Sequence, residues 1–256
     1  MKSKLTLIKV GGQIVEEPET LQQLLSDFSK IDGHKVLVHG GGRAATRIAA
    51  QLGIESQMVN GRRVTDEAML EVVTMVYGGL VNKQIVAGLQ ALGINALGLT
   101  GADMNYMRSE KRPVEEVDYG FVGDVKEVNA EILSELIAKG IVPVLAPLTH
   151  DKKGNLLNTN ADTIAAEAAK ALARYFDVTL VFCFEKKGVL RNADDDESVI
   201  PEITKPLFEQ YVADGTIQGG MIPKLENAFD AIAAGVKQVV ISKADEIGQH
   251  TGTTIL

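Results

Sequence analysis

The sequence predicts an α/β fold: a mostly parallel sheet covered by helices on both faces. Two observations carry this. Short aliphatic runs alternate with longer Ala-, Leu- and Glu-rich segments, and strands separated by helices of about 10 to 15 residues make parallel crossovers. Glycines follow two of the strands at once, in LTLIKVGG and KVLVHGGG, and the carboxyl ends of parallel strands are where such sheets bind ligands.

In chain order, LTLIKV reads as a buried strand and EPETLQQLLSDFSKI as a helix. KVLVHG is the next strand, RAATRIAAQLG its helix, and AMLEVVTMVYGGLVNKQIVAGLQALG a long helix before the strand NALGLT. Residues 106–128 break the pattern. RSEKRPVEEVD is polar and DYGFVGDVKEV alternates, which suits an exposed hairpin or flap. EILSELIAKG, VPVLAPL, TIAAEAAKALAR and VTLVFCF then resume the helix–strand order. Residues 186–205, with an acidic run at 194–197, read as a solvated surface loop. PKLENAFDAIAAG closes as a helix, with Pro223 at its first position and Gly235 at its C-terminal cap, followed by the strand QVVIS. No fixed-period repeat, low-complexity tract or interdomain linker interrupts the chain.

At 256 residues and 45% hydrophobic, the chain can bury a substantial core as one large domain or two lobes. No run approaches the roughly 18 apolar residues of a membrane span, and no signal-like segment opens the chain. The single Cys183 cannot form an intramolecular disulfide, so a reducing, cytoplasmic setting is expected. A net charge of -8 argues against sequence-independent nucleic-acid binding.

Gly40, Gly41 and Gly42 lack side chains, so their N–H groups can approach an anion, and the helix beginning near Arg43 adds its positive end. A tight turn alone would also use glycines. No Gly-Lys-Ser/Thr closes a Walker A loop. Gly40, Gly42 and Ala45 do fit the loose form G-x-G-x-x-A, which keeps a nicotinamide-dependent oxidoreductase as a competitor. Against it, NGRRVTDEAM stands where a strand ending in an acidic residue belongs.

Gly11 and Gly12 repeat the device, so the two turns can lie side by side facing one phosphoryl group. Lys9 then projects toward it from a strand end, a burial that costs several kcal/mol without a partner. Lys224 lies in the first turn of its helix, where the macrodipole disfavours a cation. Asp162, in NTNADTIAAEAAKAL, sits in a first turn where a carboxylate is favoured. Asn158 and Asn160 precede it and can converge on a ligand. Arg63 offers a planar fork for a carboxylate. Four histidines and one cysteine, none in ligand spacing, speak against a structural zinc site, and no G-x-S-x-G elbow appears.

Taken in order, KVGG, HGGG, NGRRVT, LTGADM, FVGDV, NTNAD and GGMIPK resemble the acylglutamate kinase branch of the amino acid kinase family, over about residues 5 to 240. The resemblance implies a three-layer αβα sandwich around an open, mainly parallel sheet. Residues 1–172 would form an N-terminal lobe for acylglutamate binding and dimerisation, and 173–256 a C-terminal lobe for ATP. The implied reaction moves the γ-phosphoryl of Mg-ATP onto the side-chain carboxylate of N-acetyl-L-glutamate, giving N-acetyl-L-glutamyl 5-phosphate, the second step of arginine biosynthesis. N-succinyl-L-glutamate is the alternative substrate, because no motif reads the acyl pocket. Mg2+ would arrive with ATP, with no metal held by the protein itself.

By the same resemblance Lys9 and Lys224 are transition-state lysines and Asp162 orients both. Gly11, Gly12 and Gly41 would donate to phosphoryl oxygens, and Gly41, Gly42, Arg63 and Asn158 would bind the acylated amino acid. Glu185, Lys186, Lys187, Gly188, Val189, Leu190, Thr216, Ile217 and Gln218 would meet the nucleotide. FEKKGVL departs from the family's serine or threonine followed by aspartate, and the stretch after Ser242 is shorter than usual. A sister kinase for carbamate, aspartate or glutamate is the nearest rival within the class, and a non-enzymatic sensor a more distant one. Arginine-inhibited members carry an extra N-terminal helix, so a symmetric homodimer without arginine feedback is expected. Its interface would be the helix at 68–92 through Met69, Val72, Val73, Val76 and Leu80.

Overall fold

The computed structural model describes residues 2–59, 61–184, 186–192, 194–219, 221–244, 247 and 252–256. The first elements are β1 (Lys4–Val10), α1 (Gly12–Glu16), α2 (Pro18–Ser29), β2 (His34–His39), α3 (Gly42–Gln51), β3 (Met58–Val59) and β4 (Arg62–Arg63). Next, α4 (Glu67–Val73) runs through a π-helical stretch, Thr74–Val81, into α5 (Asn82–Ala91). There follow β5 (Ala96–Leu99), β6 (Met107–Lys111), β7 (Gly123–Val128), α6 (Ala130–Ala138), β8 (Val142–Leu145), β9 (Leu148–His150), β10 (Leu156–Asn158) and α7 (Ala161–Leu172). The chain ends with β11 (Asp177–Phe184), β12 (Glu202–Ile203), α8 (Lys205–Ala213), α9 (Met221–Ala233), β13 (Gln238–Lys243) and β14 (Thr253–Ile255).

The main sheet has eight strands in the order β12-β14-β13-β11-β1-β2-β8-β5, and only the β13–β14 pair is antiparallel. The four strands before residue 172 form one half and the four after it the other, meeting where β1 pairs with β11. Successive side chains of a strand point to opposite faces. Leu5 and Leu7 therefore enter a core with Leu133 of α6, Ile164 of α7, Phe208 of α8 and Leu225 of α9. Ile8 and Val10 enter a second core with Val15 of α1, Phe28 of α2, Ala45 of α3, Val72 of α4 and Ile85 of α5. Two cores on two faces make the expected three-layer αβα sandwich. Lys9 has the parity of Leu5 and Leu7, so its stem leaves the sheet toward α7.

A smaller sheet, in the order β10-β9-β6-β7, contains the hairpin expected at 106–128. The hairpin is anchored: Tyr106, Met107 and Ser109 are fully buried. A two-stranded ribbon, β3-β4, carries Arg62 and Arg63 beside it.

Two sequence expectations shift here. The helix Glu67–Ala91 is 25 residues long and apolar enough to cross a membrane by length and composition, a run the sequence reading did not credit. Met69, Val72, Val73 and Val76 are buried in the chain's own core, so they are not the interface residues the sequence suggested. Wider π winding rotates the apolar stripe, and Met75 and Leu80 are what the stretch exposes, at 53% and 43%. The second shift is at α9, which begins at Met221, two residues before Pro223. Bonds from Met221 N to Gln218 O and Ile222 N to Gly219 O start the turn early, and Pro223 takes a position whose N–H the helix does not use.

Candidate active site

The carboxyl ends of β1, β2 and β11 meet along one edge of the sheet, because these strands are parallel neighbours. Gly11 and Gly12 leave β1 there and Gly40 to Gly42 leave β2. The loops touch backbone to backbone: Gly40 N donates to Val10 O at 3.0 Å. A Cβ on Gly12 would come within 3.2 Å of Gly42 N, and one on Gly40 within 3.1 Å of Gly12 N. A Cβ on Gly41 would strike the Tyr77 ring at 2.9 Å. Close approach thus favours glycine at Gly12, Gly40 and Gly41, whereas a Cβ on Gly11 or Gly42 would meet no tight contact, and the two turns lie side by side as the sequence suggested. Glu16 adds a link, accepting from Ala44 N at 2.6 Å in the first turn of α3.

His39 fixes the second loop from beneath. It is fully buried on the face away from Lys9, its Nδ1 is 2.7 Å from Gly40 O, and Asn82 Nδ2 lies 3.1 Å from its Nε2. A carbonyl can only accept, so Nδ1 carries the hydrogen and Nε2 accepts from Asn82. Burial pulls the His39 pKa down to about 4, and the imidazole is neutral at physiological pH.

Lys9 Nζ lies 2.8 Å from Asp162 Oδ1. The contact has ion-pair distance without hydrogen-bond alignment. Asp162 reaches it because Asn160 caps α7, its side chain accepting from Asp162 N at 2.7 Å and Thr163 N at 3.3 Å. The buried strand lysine therefore has a partner within the chain. Lys224 Nζ approaches from α9 and sits 4.1 Å from the centroid of the Phe184 ring, and Lys9 Nζ is 5.9 Å from the same centroid. Phe184 ends β11 with the parity of Phe182 and Leu180, on the α7 face. Among the described residues Asp162 pairs with Lys9, while the contact of Lys224 is the ring.

Lys9, Gly11, Gly12, Gly42, Arg63 and Lys224 line a cleft of about 1400 Å³, whose outer wall includes Lys186, Gly188, Val189, Leu190, Thr216, Ile217 and Gln218. Lys187 does not line it; its ammonium pairs with Glu197. Glu185 lies outside the described residues. A recess of about 180 Å³ adjoins the cleft, lined by Gly40, Gly41, Gly42, Arg63, Tyr77 and Asn158 among others, and Gly42 and Arg63 border both spaces. Arg63 is buried, with Nη2 donating to Gly42 O and Thr46 Oγ1, each at 2.8 Å, and Nη1 to Ser56 Oγ. Asn158 Nδ2 donates to Thr65 Oγ1 at 2.9 Å. The site residues missed from sequence are His39 as a loop support, Tyr77, Phe184 and Arg62. Phe184 carried a signal, an aromatic ending a buried strand; the others depend on distant segments meeting.

Two glycine loops and two ammonium groups around the mouth of a large cleft form a site for an anionic group in transfer, and the chain belongs to the amino acid kinase family, whose model matches residues 4–243. Relatives bearing the name acetylglutamate kinase include one from Parabacteroides distasonis, 75% identical over 98% of this chain and 99% of its own length. One from Bacteroides thetaiotaomicron is 74% identical over 100% and 99%, and one from Methanopyrus kandleri 41% identical over 98% and 100%. Among solved structures, a Streptococcus mutans protein superposes with a TM-score of 0.78 at 32% identity, covering 98% of both chains. A Giardia lamblia carbamate kinase bound to AMP-PNP has a TM-score of 0.70 at 15% identity, over 100% of this chain and 99% of its own, and shares the fold.

Proposed function

We propose that the chain is an ATP-dependent kinase acting on the side-chain carboxylate of N-acetyl-L-glutamate, the second step of arginine biosynthesis. The observation that carries this is the meeting of Lys9, Lys224 and both glycine loops where the large cleft joins the small recess, in a chain 75% identical to an acetylglutamate kinase. ATP occupies the cleft, and the amino acid occupies the recess with its side-chain carboxylate at the glycine loops. A carboxylate oxygen attacks the γ-phosphorus, the bond from phosphorus to the β,γ-bridging oxygen breaks, and ADP and an acyl phosphate result. The carboxylate is ionised at pH 7, so no proton is abstracted. The protein has to position two anions and offset their charge.

Lys9 and Lys224 neutralise charge on the phosphoryl from two sides, Asp162 holds Lys9 in place, and Gly11, Gly12 and Gly41 donate from the backbone. Gly42, Arg63 and Asn158 hold the acylated amino acid. The adenine nucleotide lies along Lys186, Gly188 to Leu190 and Thr216 to Gln218. Mg2+ comes with ATP and shields the triphosphate; phosphate oxygens suit this hard ion and relieve the protein of building a cage for it. The division into lobes at 172 and 173 is supported by the recess, lined by residues 40–161, and by the outer cleft wall, formed within 183–244.

A cytoplasmic homodimer completes the reading. Met75 and Leu80, exposed side chains of the π-helical stretch, give it a small apolar patch for a two-fold contact. The decisive test is ATP turnover trapped with hydroxylamine on acetylglutamate, unacylated glutamate and carbamate. Hydroxamate from acetylglutamate alone supports the reading; ADP release without hydroxamate refutes it.

A further inference from the structure

Two ammonium groups of the site share one aromatic ring. Lys224 Nζ lies 4.1 Å from the centroid of Phe184 and Lys9 Nζ 5.9 Å, distances at which the face of a ring attracts a cation. The two lysines are otherwise held differently. Lys9 is buried and lies 2.8 Å from the carboxylate of Asp162. Lys224 is exposed and, among the described residues, makes no hydrogen bond or ion pair; the ring is what it touches. Its place in the first turn of α9 adds a repulsion, because that end of the helix is itself positive.

The ring is fixed in turn. Phe184 is the last residue of β11, a strand paired on both sides, with β1 and with β13. Phe182, buried two residues earlier on the same face, stacks against it with centroids 6.2 Å apart and planes at 23°. Phe184 and the first residues of α9, Met221 and Ile222, pack against one core, so ring and helix start rest on a common base. A carboxylate would hold a lysine and also cancel its charge, as Asp162 does for Lys9. A ring holds an ammonium through its quadrupole and carries no net charge, so Lys224 keeps its full positive charge for an incoming anion.

We propose that Phe184 is a positioning residue whose ring face holds the ammonium of Lys224 at the cleft, ready for the transferred phosphoryl. This rests on the kinase reading above and extends it to a side chain that does not touch the reacting atoms. A lysine on an exposed helix start samples many rotamers, and ordering it beforehand leaves less to be ordered in the transition state. The hold is also weak enough to yield when the phosphoryl, a stronger partner for a cation, arrives.

The test replaces Phe184 by phenylalanines carrying one, two or three ring fluorines and follows kcat by hydroxamate formation from acetylglutamate. Each fluorine draws electron density from the ring face and weakens its hold on a cation, while the size of the side chain changes little. With the rest of the chain unaltered, kcat is expected to fall stepwise, about fivefold at three fluorines, which is about 1 kcal/mol. The same series in Lys224→Ala is expected to be flat. A flat series in the chain that keeps Lys224 overturns the proposal. So does a fall of equal size in Lys224→Ala, which would give the ring a role independent of that lysine. Phe184→Leu, which keeps apolar bulk without a ring, should lower kcat at least fivefold; should it not fold, the fluorinated series decides alone. No hydroxamate from the wild type would overturn the underlying kinase reading as well, whereas an active wild type with a flat series sinks only the role of Phe184.

Discussion

The ammonium of Lys9 lies 2.8 Å from the carboxylate of Asp162, joining the end of a central strand to the first turn of a helix 153 residues further on in the chain. The pair neutralises a lysine that β1 carries into the sheet edge, and it aims that lysine at the cleft.

The first prediction concerns charge at the transferred phosphoryl. A unit charge pair at about 4 Å and an effective dielectric near 20 is worth roughly 4 kcal/mol. Where much of that arises only in the transition state, Lys9→Ala and Lys224→Ala each lower kcat by about two to three decades. Turnover within about threefold of wild type in a folded variant would remove that lysine from the mechanism.

On the proposed mechanism Asp162, paired with Lys9, acts through that lysine and takes no proton from substrate. Asp162→Asn is expected to lower kcat at least tenfold, about 1.4 kcal/mol, with the wild-type rate flat between about pH 6 and 9. A basic limb in the wild-type profile that vanishes in the variant would make Asp162 a general base instead.

Arg63 borders both cleft and recess, and its guanidinium donates to Gly42 O. Arg63→Lys loses the planar fork. KM for acetylglutamate should rise about tenfold or more while KM for ATP changes little. The reverse pattern would place Arg63 on the nucleotide.

His39 links loop geometry to pH. Its folded pKa of about 4 lies below the usual value of 6.5, so between these values the unfolded chain binds more protons and stability falls as pH drops. The loss is on the order of 3 kcal/mol across that window, complete near pH 4. Denaturant melts of wild type and His39→Gln from pH 4 to 7 measure it. A stability difference between them that stays constant over that range contradicts a neutral, loop-bearing His39.

For assembly, light scattering at micromolar concentration should give a mass near twice 27.4 kDa. Met75→Glu together with Leu80→Glu should return the monomer, because the substitutions place like charges on both sides of a two-fold contact. A monomeric wild type, or a double variant that still dimerises, rules out this patch as the interface.

What the sequence alone determined was everything that depends on neighbours along the chain. Aliphatic runs alternating with helical segments set a mostly parallel sheet covered on both faces, Asn160 and Asp162 marked the start of α7, and the glycines after β1 and β2 announced loops without side chains. Lys9 was legible as a lysine needing a partner, since a charge at the end of a buried apolar strand is costly. Only the tertiary structure decided which partner meets it, because Asp162 reaches Lys9 through the packing of α7 on one face of the sheet. Packing also gave Asn82 to His39, Tyr77 to the space a Gly41 side chain would fill, and the inner stripe of the helix at 67–91 to the core. Arg62 and Arg63 show the limit most plainly. They are adjacent and chemically identical in sequence, and only the fold hands one of them three hydrogen-bond acceptors and leaves the other facing an open recess. The acceptors of Arg63 lie 7, 17 and 21 residues back along the chain and the charged neighbours of Arg62 are in the hairpin, so adjacency in sequence does not encode the difference.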